Sequence, residues 1–138
     1  MGADAIAAAR GRLTLFQEDG PAKFYLWDAD YLDTGKSTYV VTHGWRDGAD
    51  ALDSWIDLLN SIKNIEPDAN VVFTDWSKDA KNPLYPVAAD DTYEVGGLLA
   101  HFLADNGVDG SKTTLIGHSL GGQVSGIAAD RFQALTGN

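Results

Sequence analysis

Cysteine is absent from the 138 residues, which removes disulfide frameworks, thiol nucleophiles and thiolate zinc sites together and leaves the redox compartment open. Basic residues are scarce. Ten Lys and Arg stand against 20 Asp and Glu, and the net charge of −10 is spread along the chain rather than packed into one tail. Such a surface repels phosphate backbones and anionic lipid headgroups, so nucleic acid is a poor partner. No apolar run approaches the roughly 18 residues a membrane helix needs, so no membrane span is expected. The opening Met1-Gly2-Ala3-Asp4 lacks the cationic flank and apolar stretch of a secretory signal, and Ile6 stands where myristoylation wants Ser or Thr. Any export signal is therefore expected outside this chain. With 44% hydrophobic and 22% charged residues, the composition fits one globular domain or part of one.

Short β-prone runs at 12–17 and 23–27, separated by Glu18-Asp19-Gly20-Pro21, read as a hairpin at a sheet edge. Three compact apolar runs follow, at 39–42, 70–74 and 113–116, each succeeded by an amphipathic stretch. Their continuous apolarity predicts strands buried on both faces, hence a parallel sheet. Asp50 is a plausible N-cap for a helix whose face carries Leu52, Trp55, Ile56, Leu59 and Ile62 and which ends near Asn64. A second helix has Pro86 in its first turn, Val95, Leu98, Leu99, Phe102 and Leu103 along one face, and Asn106-Gly107 as its stop. A third begins after Ile116 and is expected to bury Leu120, Val124, Ile127, Ala128 and Leu135. Strand and helix alternating with right-handed crossovers predict an α/β fold, a parallel sheet mixed at its edge with helices on both faces. Residues 1–11 read as a flexible N-terminus, and no internal repeat or linker divides 12–138.

Gly117-His118-Ser119-Leu120-Gly121 fits the G-x-S-x-G nucleophile pattern, and it falls between a strand and a helix, the context that pattern requires. A strained turn there would lift the Ser119 hydroxyl clear of the sheet, and its neighbours must be small because backbone and helix crowd together. Gly122 extends that allowance. The helix N-terminus would favour negative charge developing during attack. His43-Gly44-Trp45 falls at the carboxyl end of the first buried strand, where ligands gather in a doubly wound sheet. A backbone N–H from this loop, most naturally that of Trp45, could join the Leu120 N–H in an oxyanion hole. The His43 side chain itself reads better as a hydrogen-bonded turn histidine.

His43-Gly44-Trp45, Asp75-Trp76, Tyr85-Pro86-Val87-Ala88-Ala89, Val95-Gly96 and the run from Gly117 to Gly126, in this order and spacing, resemble the amino-terminal half of the pancreatic/lipoprotein lipase family. The resemblance runs from about Arg12 to the end. It implies a partial α/β-hydrolase fold, Ser119 as nucleophile, oxyanion donors at Trp45 and Leu120, and Tyr85 near the acyl cleft. His118, adjoining the nucleophile, completes the substrate-binding set, although its ring should point away from Ser119. Acylglycerols, phospholipids or simpler esters are the implied substrates, with no organic cofactor and an extracellular setting. The lack of cysteine departs from the disulfide-bearing animal members and looks more bacterial.

The family's triad runs Ser, acid, His, but His43, His101 and His118 all precede Ser119. Asp130 is the one acid after it, and 11 helical residues would place it about 16 Å away. The triad acid and base are therefore expected beyond Asn138. His101 reads as a polar-face residue and Asp75 as a loop-fixing carboxylate. Asp47, Asp50 and Asp53 do not follow the spacing of a calcium loop, so no metal is expected. Gly107-Val108-Asp109-Gly110 is a turn rather than a phosphate cradle. The four tryptophans fit core or cleft lining better than a sugar platform. The expectation is a carboxylic ester hydrolase working through a Ser119 acyl-enzyme, the isolated chain being weak or inactive. The alternatives are a non-catalytic module on the same scaffold, and a thioesterase or acyltransferase. The open side of the strand at 113–116 is also expected to invite self-association.

Overall fold

The computed structural model describes residues 12–44, 55–76 and 85–137, the side chains of 85–89 excepted. Within them, five strands form one sheet: β1 (Leu13–Asp19), β2 (Ala22–Trp27), β3 (Thr38–Thr42), β4 (Asn70–Asp75) and β5 (Thr113–Gly117), in the order β1-β2-β4-β3-β5. Helix α1 (Ile56–Ile65) lies between β3 and β4, α2 (Tyr85–Asp105) between β4 and β5, and α3 (Leu120–Thr136) after β5. The expected N-terminus at 1–11 and the Asp50 cap lie outside the described residues.

The hairpin is tighter than its residue types suggested. Glu18 and Asp19 remain in β1, opposite Lys23 and Ala22, and the turn shrinks to Gly20-Pro21. Gly20 has φ of 56°, and a glycine followed by a residue with negative φ is what a two-residue type II′ turn requires. β2 then pairs antiparallel with β4, while β3 runs parallel to both β4 and β5, with Thr42 opposite Thr74 and Gly117. The carboxyl ends of the three parallel strands therefore share one side of the molecule.

Alternation along the strands divides the core into two layers. Val40 and Val72 face α2 and α3, where Val95, Leu99, Phe102 and Leu103 meet Leu120, Val124, Ala128 and Phe132. Val41, Val71 and Phe73 face α1 through Trp55, Ile56, Leu59 and Ile62. Gly96 lets α2 and α3 approach closely, since a Cβ there would sit 2.6 Å from Ile127 Cγ2 and 3.1 Å from the Val124 carbonyl. α2 stops where expected: the Asn106 N–H donates to Phe102 O at 3.1 Å, and Gly107 turns the chain with φ of 72°. Asp109 then accepts from the Ser111 N–H at 2.9 Å and its hydroxyl at 2.7 Å, which holds the Asp109 carboxyl below the usual carboxylate range.

Ile127 is half-buried rather than buried, and two further burial expectations fail for one geometric reason, the limited extent of the sheet. Leu135 is 48% exposed, and Phe132 takes the place assigned to it. Seventeen helical residues run about 25 Å while a five-residue strand runs about 17 Å, so the last turn of α3 overhangs the sheet. β4 is buried throughout, but β5 is half-exposed because it is outermost among the described strands. The other edge, β1, is irregular, with a register shift between Leu15 and Gln17 that discourages edge pairing. Among the described residues, no helix is long and apolar enough to cross a membrane.

Candidate functional site

β5 ends at Gly117 and α3 starts at Leu120, so only His118 and Ser119 make the turn between them. Ser119 is exposed and adopts φ of 57° and ψ of −122°, a region that disfavours any residue with a Cβ. Its side chain makes no capping bond to the helix it precedes. The amides of Gly121 and Gly122 donate to the carbonyls of His118 and Ser119, each at 2.9 Å, which leaves the Leu120 N–H at the helix opening. That end of α3 carries the positive pole of the helix dipole.

Glycine is required around this turn by space. A Cβ on Gly117 would meet the Gly121 carbonyl oxygen at 2.2 Å, and one on Gly121 would meet the carbonyl oxygens of Thr42 and His43 at 2.3 and 2.4 Å. Gly44 is packed almost as tightly: its Cβ would lie 2.7 Å from the His118 carbonyl and 3.2 Å from Ser119 Cβ. Gly122 differs, with its nearest atom at 3.9 Å, so the allowance expected of it is not needed. The loop after β3 thus lies against Ser119, although Trp45 falls outside the described residues. Tyr85 opens α2, and its side chain also lies outside the description.

The histidines are dispersed. His43 is fully buried, its Nδ1 is 2.9 Å from the Gly44 carbonyl, and its Nε2 accepts from the Trp76 N–H at 3.0 Å. Asp75, buried at the end of β4, places Oδ1 3.4 Å from the same Nε2. His118 is exposed and meets Trp55 edge-on, with ring centroids 6.3 Å apart. His101 is exposed on α2 and Asp130 on α3, so neither joins the turn. Among the described residues, no imidazole hydrogen-bonds the Ser119 hydroxyl and no group of three or more His, Asp or Glu could hold a metal ion. Asp47, Asp50 and Asp53 lie outside them. Trp27, Trp55 and Trp76 are buried. A recess of about 380 Å³ lined by Ser37, Glu66 and Lys112 lies at the amino ends of the parallel strands, away from Ser119.

Sequence reasoning found the serine and its flanking glycines but missed why Gly44 must be glycine and what Trp76 does. Gly44 stands 75 positions from Ser119, and only the parallel β3–β5 register brings them into contact. The signal available was the pairing of His43-Gly44 with Asp75-Trp76 at the ends of two successive buried runs.

A mixed sheet with helices on both faces and an exposed serine in a strained strand-to-helix turn defines a partial α/β fold of the hydrolase kind. A family model described as Lipase matches residues 28–137, and the chain belongs to this family of lipase and esterase-type hydrolases, in its pancreatic/lipoprotein lipase line. The chain is 34% identical to lipoprotein lipase of Sus scrofa over 103 residues, 71% of this chain and 21% of that protein. It is 32% identical to lipase member H of Xenopus tropicalis over 113 residues, 78% of this chain and 24% of that protein. It is 31% identical to a protein named inactive pancreatic lipase-related protein 1 of Canis lupus familiaris, covering 78% of this chain and 23% of that protein. The chain thus spans about a fifth to a quarter of the length of these curated relatives. The family match begins at Asp28, later than the Arg12 start expected from the motifs. These relatives are vertebrate and lend no support to a bacterial reading of the missing cysteines.

Proposed function

We propose that this chain carries the nucleophile half of a carboxylic ester hydrolase, with Ser119 as nucleophile. The observation that carries the reading is the conformation of Ser119: an exposed serine held at φ of 57° where glycine would be easier. Strain of this kind, of order 1–3 kcal/mol, persists only where surrounding packing enforces it, and it clusters at active sites. In the reaction, a base takes the Ser119 proton as Oγ attacks the ester carbonyl carbon. The tetrahedral oxyanion is met by the Leu120 and Trp45 N–H groups, the alcohol leaves with a proton, and water then releases the acid from the acyl-serine. Asp and His of the triad come from polypeptide outside residues 1–138, because no histidine follows Ser119 and His43, the one buried beside the turn, is bonded elsewhere. Tyr85 and His118 border the substrate. Acylglycerols, phospholipids or simpler esters are the substrate class, the setting is extracellular, and no cofactor is needed.

The relative named as inactive favours one competing reading, a scaffold that retains the turn without turnover. A fluorophosphonate ester separates the two. With the triad base present, mass spectrometry should find a single phosphonyl adduct on Ser119, absent in Ser119→Ala. A protein that stays unlabelled while folded is a non-catalytic module.

A further inference from the structure

We propose that Trp55 is a positioning residue for Ser119: its ring, standing between Phe73 in the core and His118 in the turn, holds the peptide by which the chain enters the strained serine. The inference rests on the ester-hydrolase reading and deepens it by saying what keeps the nucleophile in place. A backbone at φ of 57° and ψ of −122° stays there only while its surroundings enforce it. After Ser119 the enforcement comes from backbone bonds, since the Gly121 and Gly122 amides donate to the His118 and Ser119 carbonyls at 2.9 Å each. Before Ser119 the backbone grips weakly. His118 is the single residue between the end of β5 and Ser119, and its N–H donates to Thr42 O across 3.4 Å, at the outer limit of a hydrogen bond.

The His118 side chain supplies what its amide does not. Its exposed imidazole meets the Trp55 ring edge-on, with centroids 6.3 Å apart and an interplanar angle of 71°, within the range over which aromatic pairs attract. Trp55 is itself fixed. It immediately precedes α1, its carbonyl accepts the Leu59 N–H at 3.0 Å, it is 9% exposed, and its ring packs 6.3 Å from that of the fully buried Phe73 of β4. The indole therefore links the α1 layer of the core to a ring on the surface next to the serine. Gly44 meets the same imidazole, since a Cβ there would come within 3.3 Å of His118 Nδ1. The Trp55 Nε1–H is buried and finds no hydrogen-bond partner among the described residues, so the position uses the ring and not the donor. Trp55 thus acts through His118 rather than by touching substrate.

The test uses the complete hydrolase and a short-chain 4-nitrophenyl ester, with cooperative unfolding confirmed for each variant. Trp55→Phe keeps an aromatic ring without the unused donor, and Trp55→Leu removes the ring. In Trp55→Leu kcat should fall about tenfold with KM within about twofold, since misplacing a reacting group by about an ångström costs up to about a hundredfold. Trp55→Phe should recover most of that loss. In a His118→Ala background Trp55→Leu should change kcat no further, because the ring it would hold is gone. The His118 ring protons of the wild type should carry a ring-current shift that Trp55→Leu abolishes. Unchanged kcat in Trp55→Leu, an effect confined to KM, Trp55→Phe as slow as Trp55→Leu, the same loss in the His118→Ala background, or His118 ring protons unmoved by Trp55→Leu would overturn the positioning role while leaving the hydrolase reading intact. If Trp55→Leu does not fold, His118→Ala, a substitution at an exposed site, decides by the same kcat criterion. A wild type whose turnover ignores Ser119→Ala would instead overturn the hydrolase reading.

Discussion

At the scale of single residues, the backbone of Ser119 holds strain that a stability optimum would not keep. Glycine occupies φ of 57° without penalty, so Ser119→Gly should raise unfolding free energy by about 1 kcal/mol, whereas Ser119→Ala, which keeps its Cβ, should leave it nearly unchanged. Urea titration of the three proteins measures the difference, and equal midpoints for Gly and Ala would mean that the turn is not strained. Asp109 gives a second residue-scale expectation. Its folded pKa is depressed, so its stabilising contribution is present above the unfolded carboxylate value and is lost as pH falls through the lower folded one. In Ser111→Ala the carboxyl should titrate higher, because the hydroxyl bond that lowers it most is gone. A ¹³C titration of the Asp109 carboxyl reads this directly. Ser119 and its glycines were legible in the sequence because the steric demand is local, within two positions of the serine. The pinning of His43 was only half legible: a hydrogen-bonded turn histidine was expected, but its partner Trp76 is 33 positions away and visible only once β3 and β4 are aligned.

At the scale of elements, the placing of Ser119 depends on how α3 is seated. α2 and α3 approach closely at Gly96, and Gly96→Ala would drive a methyl into Ile127 and toward the Val124 carbonyl. Overpacking of this kind costs about 1–3 kcal/mol. Ile127→Ala should recover part of that loss, since it removes the Cγ2 contact at 2.6 Å while the contact to Cβ at 2.7 Å remains. Thermal unfolding of the four proteins in the cycle gives the coupling, and strict additivity would show that the helices are not in contact there. Elements were read well wherever periodicity and end signals coincided: Leu99, Phe102 and Leu103 are buried, and Gly107 turns the chain after α2. They were read poorly where length mattered more than period. Leu135 continues the apolar stripe of α3 but lies past the end of the sheet, and Phe132 is the last residue the sheet can cover. Likewise the apolar run of β5 does not reveal that it is outermost, because a run carries no information about its neighbours.

At the scale of the molecule, the parallel strands bring the Gly44 loop, the ends of β4 and β5 and the first turn of α3 to one side, and Ser119 stands there exposed. What is gathered is the serine proposed as nucleophile, a helix N-terminus and a loop packed against both. Among the described residues, no histidine hydrogen-bonds that serine. A serine hydroxyl is a weak nucleophile without that base, and triad enzymes stripped of their triad retain only about 10³ to 10⁴ over the uncatalysed rate from the oxyanion hole and binding. The most direct test is therefore hydrolysis of an activated short-chain ester by residues 1–138, with and without Ser119→Ala, repeated after fusion to the segment supplying acid and base. The account predicts slow turnover that Ser119→Ala barely changes in the short chain, and turnover faster by orders of magnitude and strictly dependent on Ser119 in the fusion. Efficient turnover by residues 1–138 alone, abolished by Ser119→Ala, would contradict it and place the base among His43, His118 and Asp75.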